Sequence, residues 1–149
     1  MAVRTSFLCL LLAGLAGSPV SAQTAGEILK KSPAELVELL GNDTLGAFDK
    51  AKACQRLAVV GDASAVPALR KLLGSSELNL YARTALEQID DPAAGAALRE
   101  AAGQLQGRAL VGVLDSIGVR RDEQAVSLLA ARLSDNDMDL SIAAARRRP

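Results

Sequence analysis

Four sets of residues in this chain could do chemistry, and each needs partners that can be sought in the sequence. The phrase GDASAVP (61–67) joins a glycine to a helix start, where free backbone N–H groups can hold a phosphate. A P-loop also needs GxxxxGK[ST] after a strand, and neither is present. Asp62 or Ser64 can occupy those donors as an N-cap. Adjacent Asp90 and Asp91, and the spaced Asp135, Asp137 and Asp139 of DNDMD, are oxygen donors of the kind calcium takes. The glycine and closing glutamate of an EF-hand loop are missing, and helix-capping turns use the same residues. Glycosidase-type acid/base work needs two carboxylates flanking a cleft, and nothing in the sequence shows that. Cys54 in KACQRLA needs a base or a helix N-terminus to become a thiolate nucleophile. It falls mid-helix beside Ala53 and Leu57, where a thiol packs as a small apolar group. The chain has no histidine, which removes Ser-His-Asp and Cys-His catalysis and His-ligated zinc or haem. No cofactor or metal is implied. The fourth set is basic: Arg70, Arg99, Arg120, Arg121 and Arg132. A row of guanidinium groups could take carboxylate or phosphate on a partner. Glu77, Glu100 and Glu123 nearby make a solvated charged face the competing reading.

The elements that must position these residues come as an internal repeat. AKACQRLAVVGDASAVPALRKLLG (51–74) aligns with LYARTALEQIDDPAAGAALREAAG (80–103) at a constant offset of 29, without a gap. Leu57 meets Leu86, Val60 meets Ile89, Asp62 meets Asp91, Leu69 meets Leu98 and Gly74 meets Gly103. A third copy spans ALVGVLDSIGVRRDEQAVSLLAARLS (109–134), with Leu114, Ile117 and Leu129 in register and three extra residues around Val119 to Arg121. Arg70 and Arg99 share one slot; Arg120 and Arg121 lie in the insertion, and Arg132 lies on the next second helix. Half a copy, SPAELVELLG (32–41), precedes the array, and MDLSIAAARRRP ends it. Each copy reads as two helices, because Ala82, Ala85, Leu86 and Ile89 recur at helical spacing. Gly61 or Gly118 suits the end of a first helix, and Asp62, Asp91 or Asp122 the N-cap of a second. Pro92 after Asp91 is a strong start signal. Ser32, Pro33 and Glu35 form a capping-box pattern, with Gly41 as terminator. Helices this short, joined by short turns, pair antiparallel, and the pairs stack to bury their stripes.

Composition agrees with an all-α fold. Half of the 149 residues are apolar but only 2% are aromatic, so Ala, Leu, Val and Ile must build the core. The chain carries 17 basic and 17 acidic residues, so strong attraction to nucleic acid or to anionic membranes is not expected. MAVRTSFLCLLLAGLAGSPVSAQ reads as a signal peptide over 1–22: Arg4, an apolar run too short to span a bilayer stably, and Val20 and Ala22 before the cleavage point. Export to the periplasm or the outside follows, with no stable membrane span after cleavage. Cys9 leaves with that segment, so the mature chain has no internal disulfide.

The period near 30, the helix pairs and the line Leu57, Val60, Gly61, Asp62, Ala65, Val66, Pro67, Leu69 resemble HEAT-like repeats of the short bacterial kind named for phycobilisome lyase subunits. Copy two departs from that line at Asp90, Gly95 and Ala96, and copy three at Ser127. KAKACQRLAVVGD and RALVGVLDSIGVRRDEQAV are similar to exported HEAT-repeat proteins of planctomycete and verrucomicrobial bacteria. The resemblance implies an α–α superhelix over 23–149: a half repeat 27–41, repeats 44–74, 76–103 and 106–134, and a partial repeat 137–149. It also implies that second helices line the concave surface, which would place the arginines there. It implies no reaction, because such repeats host many functions. The expected function is a non-enzymatic scaffold that binds a protein or peptide on that face. The alternative is a truncated or accessory module of a larger exported enzyme or complex. An incomplete last repeat would expose Leu140 and Ile142 and could serve self-association.

Overall fold

A computed structural model of the protein describes residues 25–133 and 138–145. The expected signal segment, Cys9, Asp135, Asp137 and the arginines 146–148 lie outside the described residues, as does the Leu140 side chain. The described residues are helical, with no strand: α1 (Ala25–Ile28), α2 (Pro33–Gly41), α3 (Ala47–Val60), α4 (Val66–Lys71), α5 (Asn79–Gln88), α6 (Pro92–Gln104), α7 (Gly107–Val119), α8 (Val126–Arg132) and α9 (Met138–Ala145). Single 3₁₀ turns, Ala63–Ala65 and Glu123–Ala125, lead into α4 and α8.

Local chemistry sets the starts. Ser32 and Glu35 close a reciprocal capping box, with the Ser32 N–H donating to Glu35 Oε2 at 2.9 Å. This hydroxyl and backbone N–H hold the Glu35 carboxyl below its usual range. Asp62, Asp91 and Asp122 each accept the backbone N–H two residues on, at 2.9, 2.8 and 3.0 Å. They satisfy donors that a helix start otherwise leaves open. Pro67 and Pro92 stand in first turns, where a missing N–H costs nothing.

The helix ends depart from expectation at Gly41 and Gly118. Gly61 does cap α3, in extended conformation, and a Cβ there would lie 2.4 Å from the Leu57 carbonyl oxygen. Asp90 fills that slot in copy two, and α5 stops one residue earlier, at Gln88, with Ile89 as its cap. Gly41 is the last residue of α2, and Asn42 caps it. Gly103 lies inside α6, carried through by the alanine-rich run around it. Gly118 lies inside α7, which the three-residue insertion lengthens to Val119. Arg121, at φ 52°, supplies the left-handed residue instead. The Asp122 N–H donates to Ile117 O at 3.3 Å and the Arg121 N–H to Gly118 O at 3.0 Å, a Schellman closure.

Packing follows the repeat. First helices follow one another (α3 on α5, α5 on α7, α7 on α9), as do second helices α2 on α4 and α4 on α6. Each second helix also packs on the next first helix: α2 on α3, α4 on α5, α6 on α7 and α8 on α9. The recurrent leucines form the core between the rows. Leu57, Leu86, Leu114, Leu69 and Leu98 are fully buried, and Leu129 nearly so. Each contributes about 1.5–3 kcal/mol against leaving it in water. Ala65, Ala94 and Ala125, equivalent in register, are also fully buried and let the helices approach closely. Among the described residues no helix is long and apolar enough to cross a membrane.

Candidate functional site

Arg70 and Arg99 stand on second helices, and each reaches into the next copy. Arg70 on α4 pairs with Glu100 on α6; the two side chains are 46% and 50% exposed. Arg99 on α6 pairs with Asp122, the cap of the third copy, and donates to Gln124 Oε1 at 2.8 Å. The Asp122 side chain is only 9% exposed. Gly95 makes room for this pair: a Cβ would lie 3.0 Å from Asp122 Oδ2 and 3.4 Å from Arg99 Nη1.

Arg120 turns inward. Its Nη1 donates to the carbonyls of Leu86 and Ile89, both at 2.7 Å, and Nη2 to that of Asp91 at 3.2 Å. Leu86 and Ile89 lie at the C-terminal end of α5, where a cation meets the negative end of the helix dipole; the Ile89 and Asp91 carbonyls also accept the backbone N–H groups of Asp91 and Ala94. The insertion that breaks the 29-residue period thus delivers an arginine that caps the neighbouring copy. Arg99 and Arg120 meet in a cavity of about 130 Å³ with Pro92, Gly95, Asp122 and Gln124. Arg121 is exposed and Arg132 partly exposed. Both have partners of their own, and neither lines that cavity.

Beside Arg70 runs a groove of about 240 Å³ between α4 and α6. Val66, Pro67, Ala93, Ala96 and Ala97 line it, and the Arg70–Glu100 pair edges it. It offers apolar surface with one guanidinium and one carboxylate at the rim. Between the loops before α4 and α6 lies an acidic hollow of about 550 Å³, which includes Asp62, Ser64, Asp90 and Asp91. Asp62 and Asp91 spend carboxylate oxygens on capping. The Ser64 hydroxyl, then its backbone N–H, hold the Asp62 carboxyl below its usual range. Cys54 is fully buried, and burial pushes its thiol up to about 12, so it packs as a neutral group at physiological pH.

Sequence reasoning missed one polar cluster. Arg83 on α5 donates to Gly112 O at 3.1 Å and to Ser116 Oγ at 3.2 Å on α7. Ser116, fully buried, donates to Glu87 Oε1 at 2.5 Å. Arg83 and Glu87 lie 3.8 Å apart, 20% and 13% exposed. Two signals were available. Arg83 occupies, one repeat on, the slot of buried Cys54, and Gly112 interrupts a helix 29 residues after Arg83. A charge in a core slot needs a partner in the next copy, and a glycine there lets the guanidinium lie against the helix backbone.

Arg70, Arg99, Arg120 and Asp122 therefore tie one copy to another, and the groove beside Arg70 offers an accessible, largely apolar surface. Comparison of the chain with protein-family models, curated proteins and solved structures finds no match in any of the three.

Proposed function

We propose that this chain is a non-enzymatic, exported repeat scaffold of the HEAT-like, α-superhelical kind. It binds a protein or peptide on the face formed by its second helices. The observation that carries this reading is the α4–α6 groove, with its floor of Val66, Pro67 and alanines and its rim of Arg70 and Glu100. A half-exposed ion pair contributes at most about 1 kcal/mol, so a partner's carboxylate or amide can replace either member at little cost. Small side chains on the floor admit an extended segment or the ridge of a helix. Arg70 is the member of the arginine row suited to face a partner; Arg99 and Arg120 hold the copies in register behind it.

Photocross-linking tests the assignment. A photoreactive residue at exposed Ala96 in the groove is compared with one at Val59, which is exposed on α3. In the native compartment, position 96 is expected to trap a discrete adduct that position 59 does not, and Arg70→Glu is expected to weaken it. Equal adducts at both positions, or none at position 96, would overturn the assignment of this face.

A further inference from the structure

Three departures from the repeat meet at the junction between copies two and three. Gly95 stands where copies one and three have Val66 and Val126. Gln124 stands where the earlier copies have Ser64 and Ala93, and Arg120 comes from the insertion that they lack. All three line the cavity of about 130 Å³ that Arg99 and Asp122 also line. The first junction shows that stacking by itself needs none of them: there α4 packs on α6 with Val66 buried, and Arg70 pairs with Glu100. Gly95 keeps the space beside the ion pair open, since a methyl there would lie 3.0 Å from Asp122 Oδ2 and 3.4 Å from Arg99 Nη1.

We propose that this cavity is a binding site for a small carboxylate. The inference rests on the cavity and is independent of the α4–α6 groove. Charge sets the sign of the ligand. The lining carries the guanidinium groups of Arg99 and Arg120 against the single carboxylate of Asp122, so one positive charge is left over, and one carboxylate balances it. Donors set its chemistry. A guanidinium presents its N–H groups in a planar fork that matches a carboxylate. Arg99 meets Asp122 and Gln124 through Nη1 and Nη2, and Arg120 meets the carbonyls of Leu86, Glu87, Ile89 and Asp91 in the same way. None of these bonds uses an Nε–H. Partial burial strengthens the attraction, because the Arg99 and Asp122 side chains are only 23% and 9% exposed. Volume sets the size: a cavity of about 150 Å³ takes benzene, so acetate or the carboxylate end of a longer molecule fits here.

Titration of the isotope-labelled full chain with sodium acetate, with sodium chloride holding the ionic strength constant, tests this by NMR of the arginine side chains. Saturable shifts of the Arg99 and Arg120 Nε–H signals are expected, with a Kd on the order of 1 mM for so small a ligand. Gln124→Glu keeps the shape of the side chain and still accepts the Arg99 bond, but it supplies from within the carboxylate that the ligand would bring. It is expected to weaken acetate at least about ten-fold while retaining wild-type helicity by circular dichroism. Gly95→Ala, which puts a methyl into the cavity, should weaken it as much; Gln124→Glu decides the matter if that variant unfolds. Arg108→Gln, at an exposed site on α7 outside the lining, should bind as the wild type does. Acetylglycylalanine and its amide separate the sources of the carboxylate. Tighter binding of the free dipeptide than of acetate supports a chain end as ligand, tighter binding of acetate supports a free acid, and the amide should not bind in either case. The proposal falls if acetate gives no saturable shift, or if inorganic phosphate or the amide binds more tightly than both carboxylates. It also falls if Gln124→Glu binds acetate as the wild type does, or if Arg108→Gln loses binding equally.

Discussion

Alanine in place of a helix-interior glycine ordinarily stabilises a helix by about 1 kcal/mol; at Gly112 the opposite is expected. The added methyl would lie 2.8 Å from Arg83 Nε, 3.1 Å from its Cζ and 3.3 Å from Asn79 Oδ1. The guanidinium must withdraw, and it then gives up its bonds to Gly112 O and Ser116 Oγ. A hydrogen bond from a charged group contributes about 1.5–3 kcal/mol, so the loss of one already exceeds the gain in helix propensity. Glu87, mostly buried, is also left further from its cation. The net expectation for Gly112→Ala is a loss of about 1–3 kcal/mol. With Arg83→Ala in the background, the space beside Gly112 opens and the same substitution should stabilise by up to about 1 kcal/mol. The coupling between the two positions is then about 1–4 kcal/mol. Urea unfolding of the four proteins of this cycle, followed by far-ultraviolet circular dichroism, measures it. Should Gly112→Ala stabilise both backgrounds alike, with coupling within about 0.5 kcal/mol, the account of the α5–α7 cluster is wrong.

Arg120→Ala should cost about 2–3 kcal/mol by urea unfolding, because the α5 carbonyls lose a charged donor, and Arg120→Lys should recover only part, since one ammonium cannot span the same acceptors. Arg121→Gly should be more stable than Arg121→Ala by about 1 kcal/mol in the same assay, since both lose the side chain's contacts and only glycine adopts a φ of 52° without strain. Asp62 has a carboxyl depressed below its ordinary value of 3.8 by Ser64. Its contribution is therefore present above that pH and lost as pH falls through the lower folded value. Urea midpoints measured from about pH 6 to pH 2 should show a shallower acid decline for Asp62→Asn than for the wild type; parallel declines would remove Asp62 from the acid response.

Much of the architecture was legible because its causes are local or periodic. A capping aspartate acts on an N–H two residues away, so Asp62, Asp91 and Asp122 announce three helix starts wherever they stand in space. The leucines at 57, 86 and 114 announce their burial because helical spacing and repeat offset agree. Helix ends were less legible. Gly118 looked like a terminator, but the residues after it determined where α7 stopped.

The fate of the arginines could not be read the same way. Register placed Arg70 and Arg99 in one slot, yet the first meets Glu100 at the surface and the second meets an Asp122 that is almost closed off from water. Arg83 bonds to residues 29 and 33 positions on, and Arg120 to carbonyls about 30 positions back. Such pairs form only when stacking brings one copy's side chains against the next copy's backbone. Desolvation there then decides which charges must be satisfied inside. The sequence by itself determined where helices begin, which positions are apolar and how often the pattern repeats, since each follows from a few neighbouring residues. Only the tertiary structure decided which cations serve as internal ties, which glycines make room for them, and where one copy leaves a cavity against the next, because those depend on what lies across the gap between copies.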